Sequence, residues 1–251
     1  MFTDTHCHLT DEYCAGDELD KVIERANAEN VGRMICATAN PNDFIPAIRI
    51  AETHDDVFVT LGIHPEYAEI DPHKYFTKDI LSHSCVVGVG EIGLDYHERN
   101  DNRGNQIKLF ETQLEIARAS GLPVAIHTRD AESDTDAILK NVRGVMHCYT
   151  SSWNLAKTML DRGFFFSASG ILTFKNAIEI RETFAKIPID RIVIETDAPY
   201  CAPVPYRGKT CEPFMVTQTA KVLAQIKNLQ IDELESILEQ NTLNLYPKIK
   251  Q

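Results

Sequence analysis

Eight short apolar runs recur along the chain with amphipathic segments between them, and this alternation constrains the fold more than any other feature. The runs fall at residues 2–5, 33–38, 57–64, 86–92, 123–128, 144–149, 164–169 and 191–197. They are nearly all apolar, as strands buried on both faces of a parallel sheet are. The segments between them follow the helical period. Ile107, Phe110, Leu114 and Ala117 share one helix face, and Gly121 and Pro123 stop that helix. Val22, Ile23 and Ala26 face together, as do Leu155, Met159 and Leu160, and Ile178, Ile180 and Phe184. Val216, Ala220 and Leu223, with Ile226 or Lys227, mark a helix within residues 212–228. A last helix is expected from Asp232, with Glu235 in a capping-box arrangement.

This pattern predicts an α/β fold: a single (β/α)8 barrel of the TIM type, with its active site at the C-terminal mouth of the strands. A doubly wound open sheet is the alternative, because alternation alone does not prove closure. No linker, charge block or low-complexity stretch divides the chain, so residues 1–251 read as one domain. With 43% hydrophobic and 25% charged residues, collagen-like, coiled-coil and disordered classes are excluded. The 25 basic and 37 acidic residues leave a net charge of −12, which excludes a broad basic face for nucleic acid. The N-terminus has no basic and apolar leader pattern, and no apolar run approaches the ~18 residues of a membrane span. Seven cysteines without a CxxC pair fit a reduced, cytoplasmic chain. Cys201 and Cys211 are the one pair to watch, with coincidence the better reading.

The metal-capable residues cluster at strand ends. His6 and His8 end the first run, His64 the third, Glu91 the fourth, His127 the fifth, His147 the sixth and Asp197 the eighth. In a closed barrel these ends converge on one mouth. Residues i and i+2 of a strand point the same way, so His6 and His8 can share one ion while Cys7 points away. Charged groups are rarely buried unless paired or bound to metal, so packing alone is a poor account of this set. Its mixed N/O donors suit Zn²⁺, Mn²⁺ or Co²⁺, with room for Mg²⁺. Six ligands are too many for one open catalytic ion, and two divalent ions bridged by Glu91 fit better. His54, His73, His83 and His97 lie in helical or loop segments and take no role. Gly88-Val89-Gly90-Glu91-Ile92-Gly93 matches G-x-G-x-x-G, but a polar loop, residues 94–105, follows it where a helix should open. A carboxylate would also sit inside the phosphate cradle.

These residues carry a family resemblance. Asp4-Thr5-His6-Cys7-His8, Gly62-Ile63-His64-Pro65, Gly90-Glu91-Ile92-Gly93-Leu94-Asp95-Tyr96, His127-Thr128-Arg129-Asp130, His147-Cys148-Tyr149, Ser169-Gly170-Ile171 and Glu195-Thr196-Asp197-Ala198-Pro199 are similar to the motifs of the TatD family. These are metal-dependent deoxyribonucleases of the amidohydrolase superfamily. The resemblance runs from Asp4 to Tyr246. It implies a barrel with two divalent ions (Mg²⁺, Mn²⁺ or Zn²⁺) and 3′-to-5′ exonuclease activity on single-stranded or frayed DNA. By position, it assigns one ion to His6, His8 and Asp197, the other to His127 and His147, and the bridge to Glu91. Glu66 departs from the pattern, standing where a second histidine is common. So do Thr150-Ser151-Ser152 and Cys211.

The expected chemistry is attack on phosphorus by a water that two ions activate, with Asp197 taking its proton and Glu91 and Asp197 as the catalytic carboxylates. His64, Arg129, Arg207 and Lys209 are the expected phosphate contacts, with Tyr96 and Tyr200 placed to stack on a base. Two divalent ions among two carboxylates and four neutral histidines give a mouth of about +2 on an acidic surface. That suits a DNA end or short single strand and no membrane; the oligomeric state stays open, a monomer included. An amidohydrolase-type deacylase acting on C–N or ester bonds is the main alternative, since the same ions polarise a carbonyl. The cationic set at the mouth favours phosphate. A metal-binding or chaperone-like protein and a histidinol-phosphatase-type enzyme fit the ligand set less well.

Overall fold

The computed structural model describes residues 1–250; Gln251, which the one-domain reading includes, lies outside the described residues. Eight parallel strands form one sheet in sequence order. They are β1 (Phe2–Cys7), β2 (Val31–Ala37), β3 (Val57–Leu61), β4 (Val86–Asp95), β5 (Val124–Arg129), β6 (Gly144–Met146), β7 (Phe165–Ala168) and β8 (Ile192–Ile194). The helices are α1 (Glu18–Ala28), α2 (Phe44–Thr53), α3 (Lys78–Ser82), α4 (Arg103–Ser120), α5 (Glu132–Ile138), α6 (Trp153–Asp161), α7 (Ile178–Lys186), α8 (Val216–Lys227) and α9 (Ile231–Leu245). No helix among the described residues is long and apolar enough to cross a membrane.

The ring closes where β8 meets β1. The Asp197 amide donates to the His6 carbonyl at 2.9 Å, and the His8 amide donates to the Ala198 carbonyl at 2.8 Å. The open-sheet alternative is thereby set aside. Asp4, fully buried, locks the same seam: its carboxylate accepts from the Thr196 amide at 2.9 Å and from the Thr196 hydroxyl. Asp4→Ala strands these donors in the interior and is expected to cost about 3 kcal/mol, lowering Tm by ~6–12 °C. Asp4→Asn keeps an acceptor oxygen and should lose less than half as much; denaturant melts of the two variants check the order.

Inside the ring, Ile35, Val87, Ala125, Val145, Phe165 and Val193 come from six different strands and pack together, with Leu245 and Tyr246 beneath them. Strand alternation then carries the same inward face one step up. Two residues beyond Ala125, Val145 and Val193 stand His127, His147 and Glu195. The polar centre is the next layer above this apolar one.

Helix α4 holds the tops of two strands. Gln113 accepts from the Ile63 amide at 2.8 Å and donates to its carbonyl at 2.9 Å. Gln106 treats Asp95 likewise, at 2.9 Å in both directions. Both glutamines are buried beside Phe110, Leu114 and Ala117, so this face is wider and more polar than its apolar spacing suggests.

Several details differ from expectation. Helix α2 buries Phe44, Ala47, Ile48 and Ala51 at helical spacing, and Pro46 in its first turn removes no internal hydrogen bond. Ile178 is 59% exposed, because it opens α7 clear of the sheet. Helix α9 starts at Ile231 without a side-chain cap; Glu235 instead accepts from Asn30 and pairs with the N-terminal amine. Leu94 and Asp95 belong to β4 and residues 103–105 to α4, so the polar loop is confined to residues 96–102. His64 lies beyond the end of β3, anchored by its amide to the Ala39 carbonyl at 2.8 Å.

Candidate active site

The six residues expected as ligands converge at the C-terminal mouth. His6 Nε2 lies 3.4 Å and His8 Nε2 3.8 Å from Glu91 Oε2. The same nitrogens stand 3.9 and 3.5 Å from Asp197 Oδ1. The other Glu91 oxygen, Oε1, faces His127 Nδ1 at 2.7 Å, His147 Nε2 at 3.3 Å and His64 Nε2 at 3.8 Å. One buried carboxylate therefore presents its two oxygens to two separate sets of imidazoles. His64, expected as a phosphate contact, stands with the second set: its donor atom, that of Glu91 and that of His127 lie within 4.8 Å of one another.

These residues fit divalent cations. His6 Nε2 is buried and has no hydrogen-bond partner, a costly state for an imidazole nitrogen unless a cation is its natural neighbour. Donors ~2.1 Å from one tetrahedral ion stand ~3.4 Å apart. The four histidine-to-carboxylate separations among His6, His8, Glu91 and Asp197 run from 3.4 to 3.9 Å.

The far nitrogens of His8 and His127 are each held by an oxygen, which fixes ring orientation, and that of His147 faces a carboxylate without a hydrogen bond. His8 Nδ1 meets the Ala37 carbonyl at 3.1 Å. His127 Nε2 meets Asp95 Oδ2 at 3.0 Å. His147 Nδ1 stands 2.8 Å from Glu195 Oε1. Asp95 and Glu195 join the candidate site without having been expected there from sequence. The signal was alternation: Asp95 follows Glu91 by four along β4, and Glu195 precedes Asp197 by two.

Burial opposes charge on these groups, yet their mutual pairing overrides it at several. Burial lowers His8, but Asp197 and Glu91 reverse this and raise it to about 9. His127 is likewise raised to about 9 against burial by Asp95 and Glu91. Asp95 is held down at about 2 against burial by His127. Burial, with little compensation, lowers His64 to about 4, and burial together with His147 lowers His6. Despite burial, His147 and His127 hold Glu91 well below the usual carboxylate range. Against burial, Glu195 and Glu91 likewise raise His147 well above the usual imidazole range, so in the metal-free protein at pH 7 protons on His8, His127 and His147 offset much of the carboxylate charge.

A cation must displace those protons. Metal uptake at pH 7 is expected to release protons, and apparent affinity to rise with pH up to about 9. Both folded-state values lie above the ordinary 6.5. The stability they contribute to the metal-free fold is therefore complete below pH 6.5 and lost as pH rises through about 9. Melting of metal-free protein across this window, beside metal-loaded protein, checks the sign. A flat metal-free profile would contradict it.

Glycines bring the backbones together here. A Cβ on Gly62 would overlap the Glu91 backbone, and one on Gly93, at φ 150°, would strike the His127 carbonyl. The G-x-G-x-x-G pattern thus reflects tight strand packing around Glu91.

The mouth opens into a cavity of about 810 Å³ whose wall includes His8, His64, Glu91, His127, His147 and Asp197. Asp11, Asp43, Glu66 and Glu98 line it too, with Arg99 and Arg129 as its cations. Arg129 pairs with Glu98 at 2.9 Å. Tyr200 is 58% exposed and also lines the cavity. Tyr96 does not act as the expected stacking platform: it is buried, its hydroxyl donates to Asp134 at 2.6 Å, and the Arg103 guanidinium covers its ring. Arg207 and Lys209 are absent from the cavity wall. The Arg207 guanidinium lies 3.7 Å over the Phe174 ring and Lys209 Nζ 5.8 Å over that of Tyr206. His54, His83 and His97 pair with surface acids, away from the centre.

Comparison with known proteins agrees with this geometry. The family model of TatD-related DNases matches residues 3–247. The uncharacterized metal-dependent hydrolase YabD of Bacillus subtilis (strain 168) is 37% identical, over 98% of this chain and 99% of its own length. The uncharacterized metal-dependent hydrolase YcfH of Escherichia coli (strain K12) is 35% identical, over 98% of this chain and 96% of its own. The crystal structure of YJJV, a TatD homologue from Escherichia coli K12, superposes with a TM-score of 0.86 at 26% identity, covering 98% of both chains. The chain belongs to the family of TatD-related DNases.

Proposed function

We propose that this protein is a divalent-metal-dependent hydrolase that cleaves phosphodiester bonds at the end of a single or frayed DNA strand, in the 3′-to-5′ direction. The observation that carries the reading is Glu91, whose two oxygens face two separate imidazole sets. Its membership of a family of DNases supports the substrate class. The acidic cavity wall around two arginines supports a few terminal nucleotides over a long duplex.

His6, His8 and Asp197 would hold one ion, His127 and His147 the other, with Glu91 between them. Bound, the pair (Mg²⁺, Mn²⁺ or Zn²⁺) would supply Lewis-acid activation of a water and of the phosphoryl oxygens. Already in the metal-free protein, against burial, the neighbouring imidazoles of His8, His147 and His6 lower Asp197, and a bound cation would take over their role, leaving the carboxylate to accept the proton of the attacking water. Asp95 holds His127 in its facing orientation by a hydrogen bond, and the Glu195 carboxylate stands beside His147 as its counter-charge. Arg129 reaches the cavity to meet a phosphate once it leaves Glu98, and Tyr200 offers a ring for the terminal base. Seven cysteines without a CxxC pair support a cytoplasmic setting.

The test is turnover of end-labelled single-stranded DNA by metal-reconstituted protein, beside a panel of N-acyl substrates and with EDTA controls. Stepwise shortening from the 3′ end, abolished by EDTA, is the expected result. Cleavage confined to the acyl panel would overturn the nuclease reading in favour of a deacylase.

A further inference from the structure

Of the seven cysteines, Cys7, Cys14, Cys36, Cys85 and Cys211 are buried and pack as small apolar residues. Cys148 and Cys201 differ. Both are partly exposed, and both line the cavity described above. Cys148 follows β6 and Cys201 follows β8, so the barrel brings together two thiols far apart in sequence.

Their backbone is also unusual. Among the described residues, seven non-glycine residues have positive φ. Five are Asn or Asp, which tolerate the left-handed region; the other two are Cys148 at 41° and Cys201 at 54°. Asp197, at 61°, is among the five. Such conformations cost energy and gather where side chains must be aimed.

The aim is mutual. The Sγ atoms of Cys148 and Cys201 and a carboxylate oxygen of Asp197 all lie within 4.8 Å of one another. Cys201 Sγ is 3.5 Å from Asp197 Oδ2, whereas Asp197 Oδ1 is the oxygen that faces His6 and His8. A tetrahedral ion with sulfur at ~2.3 Å and oxygen at ~2.0 Å separates those two ligands by about 3.5 Å. We infer that Cys148, Cys201 and Asp197 Oδ2 form a further cation site, selective for thiophilic divalent ions such as Zn²⁺ or Cd²⁺, on the side of Asp197 turned away from the histidines. Three protein ligands leave a fourth position open to the cavity. The Ser169 hydroxyl, 3.1 Å from Cys148 Sγ, turns to donate to the thiolate when the ion binds. Two sulfur donors reject Mg²⁺ and Ca²⁺, so this site and an oxygen- and nitrogen-lined centre sort different ions. The inference stands apart from the phosphodiesterase reading and survives its failure.

The test uses the intact, metal-loaded protein under reducing conditions, titrated with Cd²⁺ alone. A thiolate-to-cadmium charge-transfer band in the ultraviolet should appear with one further equivalent of retained Cd²⁺. Bound Cd²⁺ should also shield two thiols from alkylation. Cys148→Ser and Cys201→Ser should each weaken this binding by at least the ~10–100-fold that loss of an outer contact costs. Cys85→Ser should keep the band. Absence of the band in the wild-type protein, or an undiminished band in Cys201→Ser, overturns the site.

Discussion

Glu91→Gln is expected to leave the protein unable to retain its divalent ions and to lower turnover of an end-labelled strand by at least ~10³-fold. The magnitude follows from position. Glu91 places one oxygen before each imidazole set, with Oε2 toward His6 and His8 and Oε1 toward His127 and His147. An amide keeps the shape but offers one neutral oxygen and a donor, so one set loses its anion and faces an N–H. In the metal-free protein the change also leaves protonated imidazoles without their buried counter-charge, a loss of ~3–5 kcal/mol when one partner of such a pair is removed. Metal content by elemental analysis and a thermal melt separate the two effects. A Glu91→Gln protein that holds two ions and turns over normally would refute the bridging role.

Asp197→Asn tests a different step. His6, His8 and Glu91 stay in place, so a large share of the metal should remain, while kcat falls by ~10²–10⁴ as a proton acceptor is lost. The discriminating measurement is the pH profile. Asp197 is lowered by His8, His147 and His6 in the metal-free protein, and a bound cation replaces their charge. Wild-type turnover should therefore fall on acidification, and the variant should lose that acid limb along with its rate. If fully metal-loaded Asp197→Asn cleaves DNA at the wild-type rate, the carboxylate is a ligand only and the proton goes elsewhere.

The number of strands and the convergence of the donor residues were legible because both depend on strand ends. A barrel maps strand ends onto one rim whatever its loops do. The orienting carboxylates were harder to read. Asp95 matters because it meets His127 from the neighbouring strand, and Glu195 because it meets His147 across the ring. Alternation puts both on the inward face, but it does not say which imidazole each one meets. Tyr96 shows the opposite failure: an aromatic beside the motif looked available, but Asp134 and Arg103 enclose it. Gln106 and Gln113 lay hidden in a helix face judged by its apolar members. Helix α9 lacks the expected cap because it starts at Ile231, which puts Asp232 inside the first turn, and Glu235 is engaged by Asn30 and the chain's own amine.

The seam between β1 and β8 has a consequence for how the protein is made. Asp4 and Thr196, joined there, are 192 residues apart in sequence. The histidines of the first strand leave the ribosome early, but their carboxylate partner Asp197 arrives only when four-fifths of the chain has been synthesised. A nascent fragment that stops short of the eighth strand carries His6 and His8 with no ring to hold them. Contacts this distant are closed slowly and late. Tight metal retention should therefore be a property of the finished ring alone, and its first appearance during refolding marks the moment the ends of the barrel meet.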